Sequence, residues 1–174
     1  MIFNLLRKKP DPAVVTRLYH SLVAAARQPV FYAEWGVPDT VSGRFDMISL
    51  HAVLLFRRLR AEGAEAAELS QAVFDLFFKD MDRSLREMGV GDLSVPKKIR
   101  KMGEVFYGLL AHANAALDKN DEAEFRAVLG RNLFEGTEPE GLDRISAYFL
   151  RQDRVLAALG MDAIRRGELT LEPA

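Results

Sequence analysis

Between Ser42 and Met88 the chain carries two consecutive runs of helical periodicity, separated by Glu62-Gly63. In the first, Phe45, Ile48, Ala52, Leu55 and Leu59 form one line and Met47, Leu50 and Leu54 a second. A helix apolar over more than one stripe is covered by neighbours on several sides. The second run puts Leu69, Val73 and Leu76 on one line and Phe74, Phe78, Met81, Leu85 and Met88 on another. Together they predict a helical hairpin at the centre of the fold, with the other helices packed onto it.

Those other helices are marked by their own start and stop signals. Asp11-Pro12 is a helix start, since Asp can cap free amides and Pro suits the first turn. The helix runs to about Gln28, with Val15, Leu18, Leu22 and Ala25 on one face, and Pro29 stops it. The segment from Pro29 to Thr40, holding Phe31, Tyr32 and Trp35, reads as irregular: either a plug on a helical core or an aromatic anchor for a partner. Gly89-Val90-Gly91 is a break, and Ser94-Val95-Pro96 opens a helix to about Leu117. Gly103 and Gly108 inside it cost about 1 kcal/mol each relative to Ala, which suits a close approach to the backbone. Asn120-Asp121 starts a shorter helix, and Thr137-Glu138-Pro139-Glu140 has capping-box spacing before a helix that ends at Leu159-Gly160. Met161 to Arg166 adds a turn or two. No strand alternation and no internal repeat is present. The expectation is one all-α domain, a bundle of six to seven helices over residues 11–167, between an N-terminal segment (1–10) and a C-terminal tail (168–174).

A chain of 174 residues suits one domain and buries about 70% of its unfolded surface. The absence of cysteine excludes disulfides, zinc ribbons and thiol catalysis, and fits a reducing compartment. A net charge of −1 argues against nucleic-acid binding driven by bulk charge, so any such contact needs a local patch. No apolar run approaches the roughly 20 residues of a membrane-spanning helix. The N-terminus sets Phe3, Leu5 and Leu6 before Arg7, Lys8 and Lys9, either a segment that docks on the body or a foot on an anionic membrane surface. The expected location is cytoplasmic, with peripheral contact at the inner face of the plasma membrane open to that foot.

Catalytic signals are poor. There is no phosphate loop, no His-Glu-x-x-His, no Glu-x-x-His and no nucleophile elbow. His20, His51 and His112 fall on three different predicted helices, and no carboxylate–histidine spacing supports a metal. No cofactor is expected. A small enzyme or metal protein centred on His51, His112 and Asp80 stays as an alternative, as does a peripheral membrane protein.

Two charged features carry more. In Phe77-Phe78-Lys79-Asp80-Met81, Asp80 falls where the next apolar residue of its face was due. A carboxylate entering a core needs a partner, either an arginine or lysine on a neighbouring helix or a polar contact in a binding groove. Lys97, Lys98, Arg100 and Lys101 then put four cations around one apolar anchor at a helix start, where the macrodipole disfavours them. That suggests an acidic partner: ribosomal RNA, anionic lipid or a protein. Arg57, Arg58 and Arg60 form a second basic group. The candidate contact residues are Trp35, Phe77, Phe78, Asp80, Met81, Lys97, Lys98, Arg100 and Lys101.

An ordered series of short motifs resembles the ubiquinol–cytochrome c chaperone family. It comprises Gly43-Arg44-Phe45-Asp46-Met47, Leu50-His51, Arg58-Leu59, Phe77-x-x-Asp80-Met81-Asp82, Arg86-x-x-Gly89-Val90, the Lys97–Lys101 segment and Phe106-Tyr107-Gly108. The match spans roughly Val14 to Leu159. The resemblance implies a non-enzymatic assembly factor of respiratory complex III whose client is newly made cytochrome b, with the ribosomal tunnel exit and a small partner protein as further contacts. With only a short stretch before the domain, a bacterial-type member is expected.

Overall fold

The computed structural model describes residues 9–174. Among these there are eight helices and no strand: α1 (Pro12–Ala26), α2 (Pro29–Ala33), α3 (Val41–Leu59), α4 (Gly63–Glu87), α5 (Val95–Asp118), α6 (Glu122–Leu133), α7 (Gly141–Ala158) and α8 (Met161–Arg165). The expected membrane foot at Phe3, Leu5, Leu6, Arg7 and Lys8 lies outside the described residues, and Lys9 is exposed. No described helix is long and apolar enough to cross a membrane.

The central element is α3. It buries thirteen of its nineteen residues and packs against α1, α4, α5, α6 and α7. Its partner α4 is amphipathic, burying Leu69, Val73, Phe77, Met81 and Leu85 against α1, α3 and α5. One core runs through the bundle. Phe45 stacks on Phe77 (5.4 Å) on one side, and Phe31, Trp35, Tyr148 and Phe149 cluster around His51 on the other.

The helix starts follow local chemistry in some places and tertiary demands in others. Asp11 accepts from the Ala13 amide at 2.9 Å and Asp121 from the Glu124 amide at 2.9 Å, as side-chain caps do. Pro29 ends the reach of α1 but opens α2, because a first turn does not need the amide hydrogen that Pro lacks. The capping box expected at Thr137 is not formed. The Thr137 hydroxyl donates to the Phe134 carbonyl (2.7 Å), Glu138 pairs with Arg126, and α7 begins only at Gly141.

The reason for that late start is contact with the loop after α2. A Cβ on Gly141 would sit 1.8 Å from the Trp35 carbonyl oxygen, and one on Gly43 would sit 2.0 Å from the Pro38 carbonyl oxygen. The backbone around Trp35–Pro38 is therefore clamped between α3 and α7 at two positions that only glycine can fill. The expected irregular segment is thus a core plug, with Trp35 8% exposed and Phe31 fully buried.

Candidate functional site

At the end of α4 the chain reverses through a left-handed glycine. Gly89 has φ +81°, its amide donates to the Arg86 carbonyl (2.9 Å), and the Val90 amide donates to the Leu85 carbonyl (3.0 Å). This is a Schellman turn, which brings the residue after the glycine back over the last helical turn. Leu85, Met88 and Val90 thereby form one wall of an open groove of about 540 Å³. The first turns of α3 supply Val41, Phe45 and Asp46. From α5 come Lys98, Lys101, Met102 and Val105, spaced as one helix face, and from α6 come Arg131 and Asn132.

The walls of this groove gather most of the exposed large apolar side chains among the described residues. Five large apolar side chains are exposed among the described residues, and three of them line it: Val41 (43% exposed), Met88 (51%) and Val105 (38%). A fourth, Leu93, stands in the α4–α5 connection beside it. Exposed apolar side chains gathered in one hollow mark an interaction site more often than scattered ones do. Methionine adds adaptability to such a surface.

The two basic groups behave differently. Arg57 pairs with Asp118 and Asp153, Arg58 with Glu62 and the Leu159 carbonyl, and Arg60 with Asp118. Those arginines serve the scaffold. Lys97, Lys98, Arg100 and Lys101 are all exposed and make no ion pair or hydrogen bond with described residues. Lys98 and Lys101 rim the groove, while Lys97 and Arg100 extend the charge beyond it.

The remaining candidates lie elsewhere. Trp35, Phe77 and Met81 are buried core residues, so their assignment to an exposed contact surface is corrected: their rings and thioether face the bundle interior. Phe78 is half-buried and stacked on Phe74 (4.4 Å), and a Cβ on Gly103 would meet its ring at an ordinary 3.8 Å, so that glycine is not forced by a close approach. Gly108 meets nothing within 4 Å, so no close approach explains it. Asp80 accepts from the Tyr19 hydroxyl of α1 at 2.8 Å and pairs with Arg83 on its own helix, rather than with a cation from a neighbour. It satisfies a structural need. Burial and the Asp80 carboxylate together push the Tyr19 hydroxyl well above its ordinary range.

The histidines do not converge. His20 and His112 are exposed on α1 and α5, and no cluster of three or more metal-ligating side chains is present among the described residues. His51 is buried. Its Nδ1 lies 2.7 Å from the Met47 carbonyl and so carries the proton, leaving Nε2 to accept from the Tyr148 hydroxyl at 2.9 Å. Burial lowers its pKa to about 4, so it is a neutral core group.

Val41, Asp46, Met88, Val105 and Arg131 were missed at the sequence level. Asp46 had a readable signal: it is a carboxylate on a helix whose other faces are nearly all apolar. Burial raises its pKa to about 7. The others come from the start of α3, the C-cap of α4, the middle of α5 and the last turn of α6, and only the assembled bundle brings them together.

The model of the ubiquinol-cytochrome C chaperone family matches residues 33–171 of this sequence. The chain belongs to the ubiquinol-cytochrome C chaperone family. It is similar to the crystal structure of the Cbp3 homolog from Brucella abortus, with a TM-score of 0.83 and 40% identity, over 92% of this chain and 89% of that one. It is 24% identical over 160 residues to ubiquinol-cytochrome-c reductase complex assembly factor 1 of Xenopus laevis, covering 90% of this chain and 80% of that protein. The Drosophila melanogaster assembly factor 1 is 24% identical over 152 residues, covering 83% of this chain and 58% of that protein. The matched span contains α3 to α8, and with them every wall of the groove.

Proposed function

We propose that this chaperone holds cytochrome b before it is built into ubiquinol–cytochrome c reductase, and that the groove between α3, α4, α5 and α6 is the client contact. The observation that carries the proposal is that Lys98 and Lys101, unpaired among the described residues, rim the groove with the exposed Val41, Met88 and Val105. A membrane subunit outside its bilayer presents long apolar segments with charged connections. An oily hollow edged with free cations suits both parts of such a client. The names of the relatives support the respiratory complex as the destination. The chain acts as a binding protein on the cytoplasmic side and performs no chemistry on its client.

The test is capture of cytochrome b in cells after reversal of Lys97, Lys98 and Lys101 to Glu together. Loss of co-purifying cytochrome b with a normally folded chaperone is the expected result. Undiminished co-purification overturns the assignment of this groove. A photo-crosslinking side chain at Lys98 extends the test, since crosslinks that require active translation would put capture at the ribosomal tunnel exit. Crosslinks to a small protein would instead identify a partner subunit.

A further inference from the structure

The groove contains one group that holding an apolar segment does not require. Asp46 is 9% exposed, lines the groove, and makes no hydrogen bond or ion pair with any described residue. The charged groups near it come from several elements. On α5, Lys98 and Lys101 line the same hollow but pair with no described residue. On α6, Arg131 is held by Glu124 at 2.9 Å, and the Asn132 amide donates to the Val128 carbonyl at 2.8 Å. On its own helix, Arg44 is taken by Asp39 at 2.6 Å, and the α4 end contributes only Leu85, Met88 and Val90. Burial pushes the carboxyl up to about 7, with no cation among the described residues to oppose it. A carboxylate desolvated to that degree is costly unless paired, and here the chain leaves it open toward the hollow.

We propose that Asp46 is the acceptor for one basic side chain, a lysine or arginine, carried by the apolar segment that occupies the groove. The inference rests on the client assignment of the groove and adds its chemistry. The occupant is apolar, presents acidic groups to the Lys98 and Lys101 rim, and turns one cation to the floor. An ammonium or guanidinium arriving there supplies both the charge and the donors that Asp46 lacks, in a site where such bonds are strong. It also links capture to protons. A protonated Asp46 must release its proton to solvent before it can pair, so binding tightens as pH rises.

The experiment uses the full chain and three fluorescent peptides sharing one apolar helical sequence with glutamates at both ends. They differ only in a central Lys, Gln or Glu. The Lys peptide is expected to bind tightest, and its affinity to rise about tenfold between pH 6 and pH 8, following the ionised fraction of Asp46. In Asp46→Asn the Lys preference and the pH dependence should both disappear. Equal binding of the Lys and Gln peptides to the parent chain, or a preference that survives Asp46→Asn, overturns the inference. In that event the groove itself still stands if K98E/K101E weakens every peptide. If none of the peptides binds the parent chain, the client assignment of the groove falls, and the role of Asp46 falls with it.

Discussion

His51 Nε2 lies 2.9 Å from the hydroxyl of Tyr148, 97 residues further along the chain, and neither side chain reaches solvent to any useful degree. The bond ties the central helix α3 to α7 through a neutral imidazole. Tyr148→Phe keeps the ring and its packing but leaves a buried acceptor without a donor. A loss of about 1–3 kcal/mol in urea unfolding is expected, with no change in the denaturant slope.

The same histidine makes stability depend on acid. Folded His51 has a pKa of about 4, and the unfolded chain takes a proton near 6.5. On acidification the unfolded state therefore gains its proton first. The stabilisation is fully present above about pH 6.5 and is lost as pH falls toward 4, by on the order of 3 kcal/mol. Urea melts of the parent and of His51→Gln across this window check it, since the glutamine variant lacks that slope.

Asp46 runs the opposite way. Its folded carboxyl has a pKa of about 7 against an ordinary 3.8, so the folded chain retains a proton that the unfolded chain gives up. Its contribution to stability declines as pH rises from about 4 to about 7. Asp46→Asn should be more stable than the parent at about pH 8 by on the order of 1–3 kcal/mol, and the gain should vanish near pH 4. Paired unfolding curves at the two pH values decide the matter.

Reversing Lys97, Lys98 and Lys101 to Glu should not harm the fold. All three are exposed in the first turns of α5, where carboxylates interact favourably with the helix dipole and cations do not. The melting temperature is expected to stay level or rise slightly while cytochrome b capture is lost. A fall in melting temperature would mean that the lysines support the fold.

Two glycines should respond in opposite directions. Gly141→Ala drives a methyl group into the Trp35 backbone and is expected to cost about 3 kcal/mol or more, since no flexible side-chain tip can yield. Gly108→Ala, with open space around it on α5, is expected to gain up to about 1 kcal/mol from helix propensity. Thermal melts of the two variants are the measurement.

The fold was legible where apolar periodicity was dense. The lines through Phe45 to Leu59 and Leu69 to Met88 became α3 and α4, hinged at Glu62-Gly63, with α3 at the centre. Capping signals were reliable at Asp11 and Asp121, where the side chain alone decides. They failed at Thr137, where the clash-free approach of Gly141 to Trp35 overrode the local pattern. For the site, the lysine cluster was legible because cations at a helix start are unusual in themselves. Trp35, Phe77 and Met81 could not be told from surface anchors, because a large apolar residue reads the same on either side of a helix. Asp80 attracted attention that Asp46 merited more: Tyr19 and Arg83 satisfy the former, and no described residue satisfies the latter.

The contrast between the two basic groups, arginine and lysine, sets how dissolved ions act on the molecule. Arg57 and Arg58 are only 17% and 14% exposed at the side chain and sit against their acids, so counterions screen them little. The lysine rim faces open solvent, where attraction to a partner fades beyond a Debye length of about 10 Å at 0.1 M ionic strength. Raising the salt should therefore strip a captured client from the groove while leaving the helical body intact, and elution by ionic strength alone becomes a gentle way to recover it.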